Sequence, residues 1–203
     1  MTVAAGDDGR LRCRWCLATP EYRAYHDEEW GRPVSDEIRI YEKLCLEGFQ
    51  AGLSWLTILR KREAFRTAFA GFAPPTVAAF DETDVQRLLG DPGIIRHRGK
   101  IEAAITNARA TMALREAGTS LAAVFWSHRP AEGPGPAADG DVPGATTESK
   151  ALSGTLRRHG FRFVGPTTVY AAMQALGVVN DHMQACAFRV EVEAERRRFR
   201  PPR

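Results

Sequence analysis

The sequence predicts an all-α protein. Three observations carry this: apolar residues recur at helical spacing through most of the chain, no run alternates β-branched with polar residues, and Gly and Pro separate the periodic segments. Ser35 and Asp36, after Pro33, offer an N-cap and Glu37 an acidic first turn, and Tyr41, Leu44, Cys45 and Gly48 continue the spacing. A second helix starts near Ser54. Its stripe of Trp55, Ile58, Leu59, Arg62, Phe65 and Phe69 runs to Gly71, and Pro74-Pro75 then predicts a loop. Thr83 or Asp84 is the expected cap of a short helix with Val85, Leu88 and Leu89, which stops at Asp91-Pro92-Gly93. The next helix begins by Lys100, carries Ile101, Ala104, Ile105, Ala108 and Met112 on one face and ends at Gly118; Leu121, Val124 and Phe125 predict a short one after it. Residues 129–146, thick with Pro, Gly and Ala, read as a flexible surface loop. Helices over about 149–159 and 167–176 end at Gly160 and Gly177, and a last one begins at Asn180 or Asp181.

With 203 residues and 44% apolar content, the chain can bury the core of one large domain, or of two small lobes. That domain is expected over 13–188, between a disordered lead-in at 1–12 and a basic tail at 189–203. The absence of a long apolar run and of a basic-then-apolar leader predicts a cytoplasmic protein with no membrane partner. In a reducing compartment, four cysteines suit metal binding or burial better than bridging. A net charge of +3 and a pI near 8.8 are too mild to identify a nucleic-acid partner, so the placement of charge matters more.

Three constellations carry chemistry. Glu47 and Trp55 stand at the ends of a stretch containing Gly48 and Gly52. A carboxylate, an aromatic face and a backbone free to approach a ligand suit a flat cationic ring. The second constellation, Gly93-Ile94-Ile95-Arg96-His97-Arg98-Gly99, lies between two helical patterns. Its glycines and the following helix N-terminus make an anion site suited to a DNA phosphate, which positions a duplex without reading its sequence. The third is a set of metal-ligand candidates, Cys13, Cys16, His26, His182 and Cys186. His182 and Cys186 are four apart after Asn180-Asp181, which predicts that both project from one helical face. Four N and S ligands from both chain ends would make a closed, structural tetrahedral site. Spacing does not choose between Cys13 and Cys16, which also form a C-x-x-C, although no thioredoxin-like βαβ pattern surrounds them. Trp15, Tyr22, Tyr25, Trp30 and Trp55 are concentrated in the same quarter of the chain, and a metal that fixed His26 would fix Tyr25 beside it.

Taken together, six blocks resemble, in order and spacing, the bacterial DNA-3-methyladenine glycosylase I family over roughly residues 13–186. They are Cys13-x-Trp15, Tyr22-x-x-Tyr25-His26-Asp27-x-Glu29-Trp30-Gly31, Cys45-Leu46-Glu47-Gly48-x-Gln50-Ala51-Gly52-Leu53-Ser54-Trp55, the 93–101 hairpin through Lys100-Ile101, Phe161-x-Phe163-Val164-Gly165, and Asn180-Asp181-His182-x-x-x-Cys186. The resemblance implies a helix-hairpin-helix DNA glycosylase fold whose N- and C-terminal segments are joined by one structural zinc on Cys13, His26, His182 and Cys186, with Cys16 a bystander.

By the same resemblance the protein is a repair N-glycosylase that flips 3-methyladenine out of alkylated double-stranded DNA and leaves an abasic site. Glu47 and Tyr25 are then the catalytic pair on the base, Trp55 and Trp15 stack on it, and Tyr22 and Trp30 complete the base pocket. Gly52 and Leu53 sit at the gap in the duplex, while Gly93, Arg96, His97, Arg98, Gly99 and Lys100 contact DNA. The wider helix-hairpin-helix enzymes place a catalytic Asp beyond the hairpin, but residues 92–138 contain none, as befits the narrower family. Phe49 stands where a polar residue is expected. The expected enzyme is a monomer without a nucleotide cofactor and without lyase activity, Lys100 being better suited to phosphate than to attack on the sugar. The rivals are a non-catalytic zinc-stapled module that senses alkylated duplex, and a thiol oxidoreductase using Cys13 and Cys16.

Overall fold

The structure, a computed structural model, describes residues 3–202; the first two residues of the expected lead-in and the last of the expected tail lie outside it. The chain is helical as expected, but it opens with strands. β1 (Val3–Ala5) and β2 (Leu11–Cys13) pair antiparallel with Val3 opposite Cys13 and Ala5 opposite Leu11. The Arg12 guanidinium bonds Asp8 at 2.7 Å and Asp27 at 2.9–3.1 Å, so residues 3–12 are a pinned hairpin rather than a disordered lead-in.

Helix α1 (Pro20–Glu28) had no periodic stripe to announce it, but its cap signals are in the sequence: Thr19 accepts from the Tyr22 N–H, Pro20 fills the first position and Glu21 the first turn. Tyr22, Tyr25 and His26, at i, i+3 and i+4, share one face of it. Helix α2 (Glu37–Gln50), capped by Asp36, is the central element, buried from Ile40 to Phe49 and packed on α3 (Trp55–Ala68), α6 (Arg98–Glu116), α7 (Leu121–Trp126) and α9 (Pro166–Ala175). The buried Tyr41 hydroxyl donates to Ala104 O at 2.8 Å, joining α2 to α6. Burial of a central helix this complete makes its three buried charged residues, Glu42, Lys43 and Glu47, conspicuous.

Pro74-Pro75 starts a helix instead of enforcing a loop: α4 (Pro74–Ala78) has both prolines in its first turn, where no N–H is needed. Asp81, not Thr83 or Asp84, caps α5 (Glu82–Gly90), and Asp84 completes its capping box. Phe49 is wholly buried against Phe65 and Phe69, at 4.6 and 5.8 Å between ring centroids, so the position where a polar residue is expected belongs to the core. Residues 129–146 run as a loop with one short turn, tied to the C-terminal segment where Gln184 bonds the carbonyls of Gly135 and Pro136. Helix α8 (Thr147–Arg158) and α9 agree with expectation to within about two residues.

The C-terminus differs most. The last helix, α10, spans Ala187–Arg198, so residues 180–186 are a loop and His182 and Cys186 do not share a helical face. The basic tail is largely this helix. Arg196 is buried and donates to the carbonyls of Gly177 and Val178, while Arg32 pairs with Glu195 and Arg10 with Glu191. Gly177 is required here: its φ is +72°, and a Cβ would lie 2.5 Å from Gly31 O.

Candidate functional site

Two centres meet through α1. The first is formed by Cys13 on β2, His26 on α1, and His182 and Cys186 in the 180–186 loop, all buried, with ligand atoms within 4.8 Å of one another. His26 Nδ1 lies 2.8 Å from Asp27 Oδ1 and His182 Nε2 lies 3.1 Å from the Trp30 carbonyl, which assigns each ring proton to that nitrogen. Each remaining nitrogen then turns a lone pair inward, and His26 Nε2 and His182 Nδ1 face each other 3.1 Å apart. Two buried lone pairs in this position call for a cation between them. Cys186 Sγ is 3.6 Å from both nitrogens, and Cys13 Sγ is 4.0 Å from His182 Nδ1 and accepts from the Met183 N–H. The Cys13 thiol and both histidines hold the Cys186 thiol down to about 2, so a thiolate is at hand. The donor set therefore fits a metal ion. Cys16 is buried but lies outside the set.

Trp30 belongs to this centre rather than to the base pocket assigned to it from sequence. Its ring stacks on His26 at 6.1 Å and meets His182 edge-on at 4.7 Å. Trp15, more than a third exposed, bridges outward: it is edge-on to Trp30 at 5.2 Å and to Tyr22 at 5.6 Å, and lies 6.5 Å from Tyr25. Tyr22 has a structural task, since its hydroxyl accepts the free Leu56 N–H in the first turn of α3.

The second centre brings together Tyr25, Glu47 and Trp55, as expected, and adds Lys43, one helical turn before Glu47 on α2. The Lys43 ammonium donates to Tyr25 Oη at 2.7 Å, lies 2.8 Å from Glu47 Oε1, and rests 3.4 Å from the centre of the Trp55 ring. Tyr25 and Trp55 are 5.5 Å apart, tilted at 44°. Burial, reinforced by the Glu47 charge, lifts the Tyr25 hydroxyl well above its ordinary range and keeps it protonated. The Trp55 Nε1–H is buried with no partner among the described residues, a donor that a ligand acceptor would satisfy. Lys43 was missed because a lone Lys between apolar helical positions reads as a solvated charge; its i, i+4 spacing to Glu47 was the available signal.

The third region is the surface beside this pocket. Between α2 and α3, Gly52 takes φ +83° and Leu53, 42% exposed, points its neighbourhood to solvent. Helices α5 and α6 flank the segment 91–97, in which Ile94 is buried. The His97 ring accepts the Lys100 N–H and caps α6. The N–H groups of Arg96, Arg98 and Gly99 have no partner among the described residues. Neither hairpin glycine needs a positive φ. A Cβ on Gly93 would crowd Ala64 at 3.0 Å, so there close packing against α3 sets the residue. Arg96 is exposed, and Arg98 is paired with Glu82 and Glu102. Lys100 departs from expectation: it is buried, and its ammonium donates to Phe49 O at 3.0 Å and Ala51 O at 2.6 Å. It therefore caps the C-terminus of α2 and ties the Gly52-Leu53 turn to the hairpin, instead of reaching a phosphate.

Comparison with known proteins agrees with this arrangement. The family model described as methyladenine glycosylase matches residues 15–190. DNA-3-methyladenine glycosylase 1 of Escherichia coli (strain K12) is 48% identical over 178 residues, which is 86% of this chain and 95% of that protein. A crystal structure of 3-methyladenine DNA glycosylase I superposes with a TM-score of 0.83 at 48% identity, covering 87% of this chain and 98% of the other. A crystal structure of a variant of another 3-methyladenine DNA glycosylase I, in complex with 3-methyladenine, gives a TM-score of 0.82 at 34% identity, covering 87% of this chain and 96% of the other. The chain belongs to the methyladenine glycosylase family of DNA repair enzymes.

Proposed function

We propose that this enzyme hydrolyses the N-glycosidic bond of 3-methyladenine in alkylated double-stranded DNA, flipping the nucleotide into the Tyr25, Glu47, Trp55 pocket and leaving an abasic site. The observation that carries the reading is the pocket's chemistry: a buried carboxylate, a buried phenol and an indole face converge on one point, and that point already receives a cation. An N3-methylated deoxyadenosine is a flat cation. Glu47 favours it over neutral adenine, Tyr25 supplies a hydrogen bond, and Trp55 and Trp15 supply ring faces. Because the methylated base is already a good leaving group, most of the rate comes from holding it and stabilising the electron-poor sugar, without a strong general acid.

Contacts outside the pocket follow from the surface. The unpaired hairpin N–H groups, with Arg96, are placed to take a DNA phosphate, and Leu53 to enter the gap left by the flipped base. The ion in the Cys13, His26, His182, Cys186 cluster is read as zinc. Zinc bonds of about 2.3 Å to sulfur and 2.0–2.1 Å to nitrogen give tetrahedral edges of roughly 3.3–3.8 Å. The separations of 3.1, 3.6, 3.6 and 4.0 Å lie within about half an ångström of these. Four protein ligands leave no open position, so this metal is structural: it would fix His26 and thereby Tyr25 next to it. The test is mass spectrometry of bases released from methylated duplex. Release of 3-methyladenine without strand nicking is expected, and its absence refutes the reading.

A further inference from the structure

We propose that the Lys43 ammonium is a built-in placeholder for the base: it fills the cation's position between Tyr25, Glu47 and Trp55 in the free enzyme and is displaced when an alkylated base enters. This rests on the reading of that pocket as the base site. The geometry leaves little room for both. A base that hydrogen-bonds Tyr25 and Glu47 while stacking on Trp55 must use the ring face from which Lys43 reaches the same two groups, and the ammonium stands 3.4 Å from the ring centre. The lysine uses every kind of attraction the pocket offers, namely an anion, a phenol oxygen and a π face.

It also has somewhere to go. A small cavity of about 40 Å³, room for an ammonium head, is lined by Lys43, Tyr25 and Trp55 themselves, and its wall includes Glu29 and Glu42, which pair with Arg62 and Arg66. A lysine stem of four methylenes can rotate its head from Glu47 into this space and keep acidic neighbours. Burial lowers the pKa of the ammonium, opposed by Glu47, so its charge depends on the pocket's acceptors and not on water. Displacement costs every incoming base the same amount. It therefore sets a threshold for entry, one that a base carrying its own positive charge meets through Glu47 and that a neutral purine does not.

The test is Lys43→Met, which keeps the stem's bulk and removes the charge. Binding of free 3-methyladenine, followed by isothermal titration calorimetry, should tighten by about tenfold, the scale of one desolvated cation–π contact and its hydrogen bonds. With methylated duplex the gain should appear in KM rather than in kcat, because the lost competition is uniform between bound substrate and transition state. Equal or weaker binding by the variant overturns the placeholder. A crystal structure of the unaltered enzyme with 3-methyladenine decides the matter even if the variant does not fold. Lys43 Nζ should have left the Trp55 face, and a base seated with Nζ still there overturns the proposal. Release of 3-methyladenine by the unaltered enzyme separates the two readings. If release fails, the base-site reading falls; if release is normal and Lys43 behaves otherwise, only the placeholder falls.

Discussion

Loss of the metal should unfasten the two ends of the chain, and the structure sets the size of the effect. Cys13 and His182 are 169 positions apart, with His26 and Cys186 beside them in space. Closing a loop of that length removes unfolded-chain entropy worth about 5 kcal/mol on the model used for covalent cross-links. For a chain of 203 residues, each kcal/mol moves the melting temperature by about 2–4 °C. The expected drop is therefore roughly 10–20 °C. Because all four ligands are buried, a chelator added to the native protein has no direct access, so the measurement needs care. The protein should be unfolded in guanidinium, refolded with and without 1,10-phenanthroline, assayed for zinc by mass spectrometry, and melted with circular dichroism at 222 nm. Cys13→Ser and His182→Ala should reproduce the chelated melt, and Cys16→Ser should not. A purified protein that contains about one zinc yet melts identically after its removal would refute the staple. A protein that binds no zinc at all would refute the metal.

Four further outcomes are expected. Glu47→Gln should reduce kcat/KM for release of 3-methyladenine about ten- to hundredfold, the worth of one hydrogen bond to a charged group; unchanged release removes Glu47 from the mechanism. Arg96→Ala should lower the slope of log affinity against log salt by about one on duplex DNA, whereas Lys100→Met should weaken excision and leave that slope unchanged, since its ammonium serves carbonyls. Tyr41→Phe, which removes the hydroxyl donor to the Ala104 carbonyl but leaves the intrahelical N–H of Ala108 on it, should cost about 0.5–1.5 kcal/mol in urea unfolding. The Asp8 carboxyl is held far below its ordinary range by Arg12, so its contribution to stability is present above the unfolded carboxylate pKa and lost as pH falls through the lower folded one. Asp8→Asn should accordingly flatten the acid limb of melting temperature against pH.

The helices with apolar stripes were legible because burial of one face requires the 3.6-residue period, and the metal set was legible because Cys and His from distant positions have few other reasons to converge. What escaped was whatever depends on partners far along the chain. Residues 3–12 look structureless until Arg12 meets Asp27, and the C-terminal Arg run looks solvated until Arg196 finds the carbonyls at 177 and 178. Lys100 has the composition of a phosphate ligand and the position of a helix cap; only the packing of α6 against α2 distinguishes them. Likewise, Thr19 and Pro20 announced a helix that the search for an apolar stripe passed over, because α1 buries mainly Tyr25 and His26.

Joining residues 13 and 26 to residues 182 and 186 also has a consequence for biosynthesis. A ribosome makes the first pair some 156 residues before the second, so through that interval the helix bearing Tyr25 has half of its anchor missing. Helix α2 can pack meanwhile against α3, α6 and α7, while its packing against α9 follows later. The pocket is then the last part of the molecule to become rigid. A chain that stopped before His182 would carry Glu47 and Trp55 without the means to hold Tyr25 opposite them, which makes synthesis of the 182–186 segment a precondition for releasing the base.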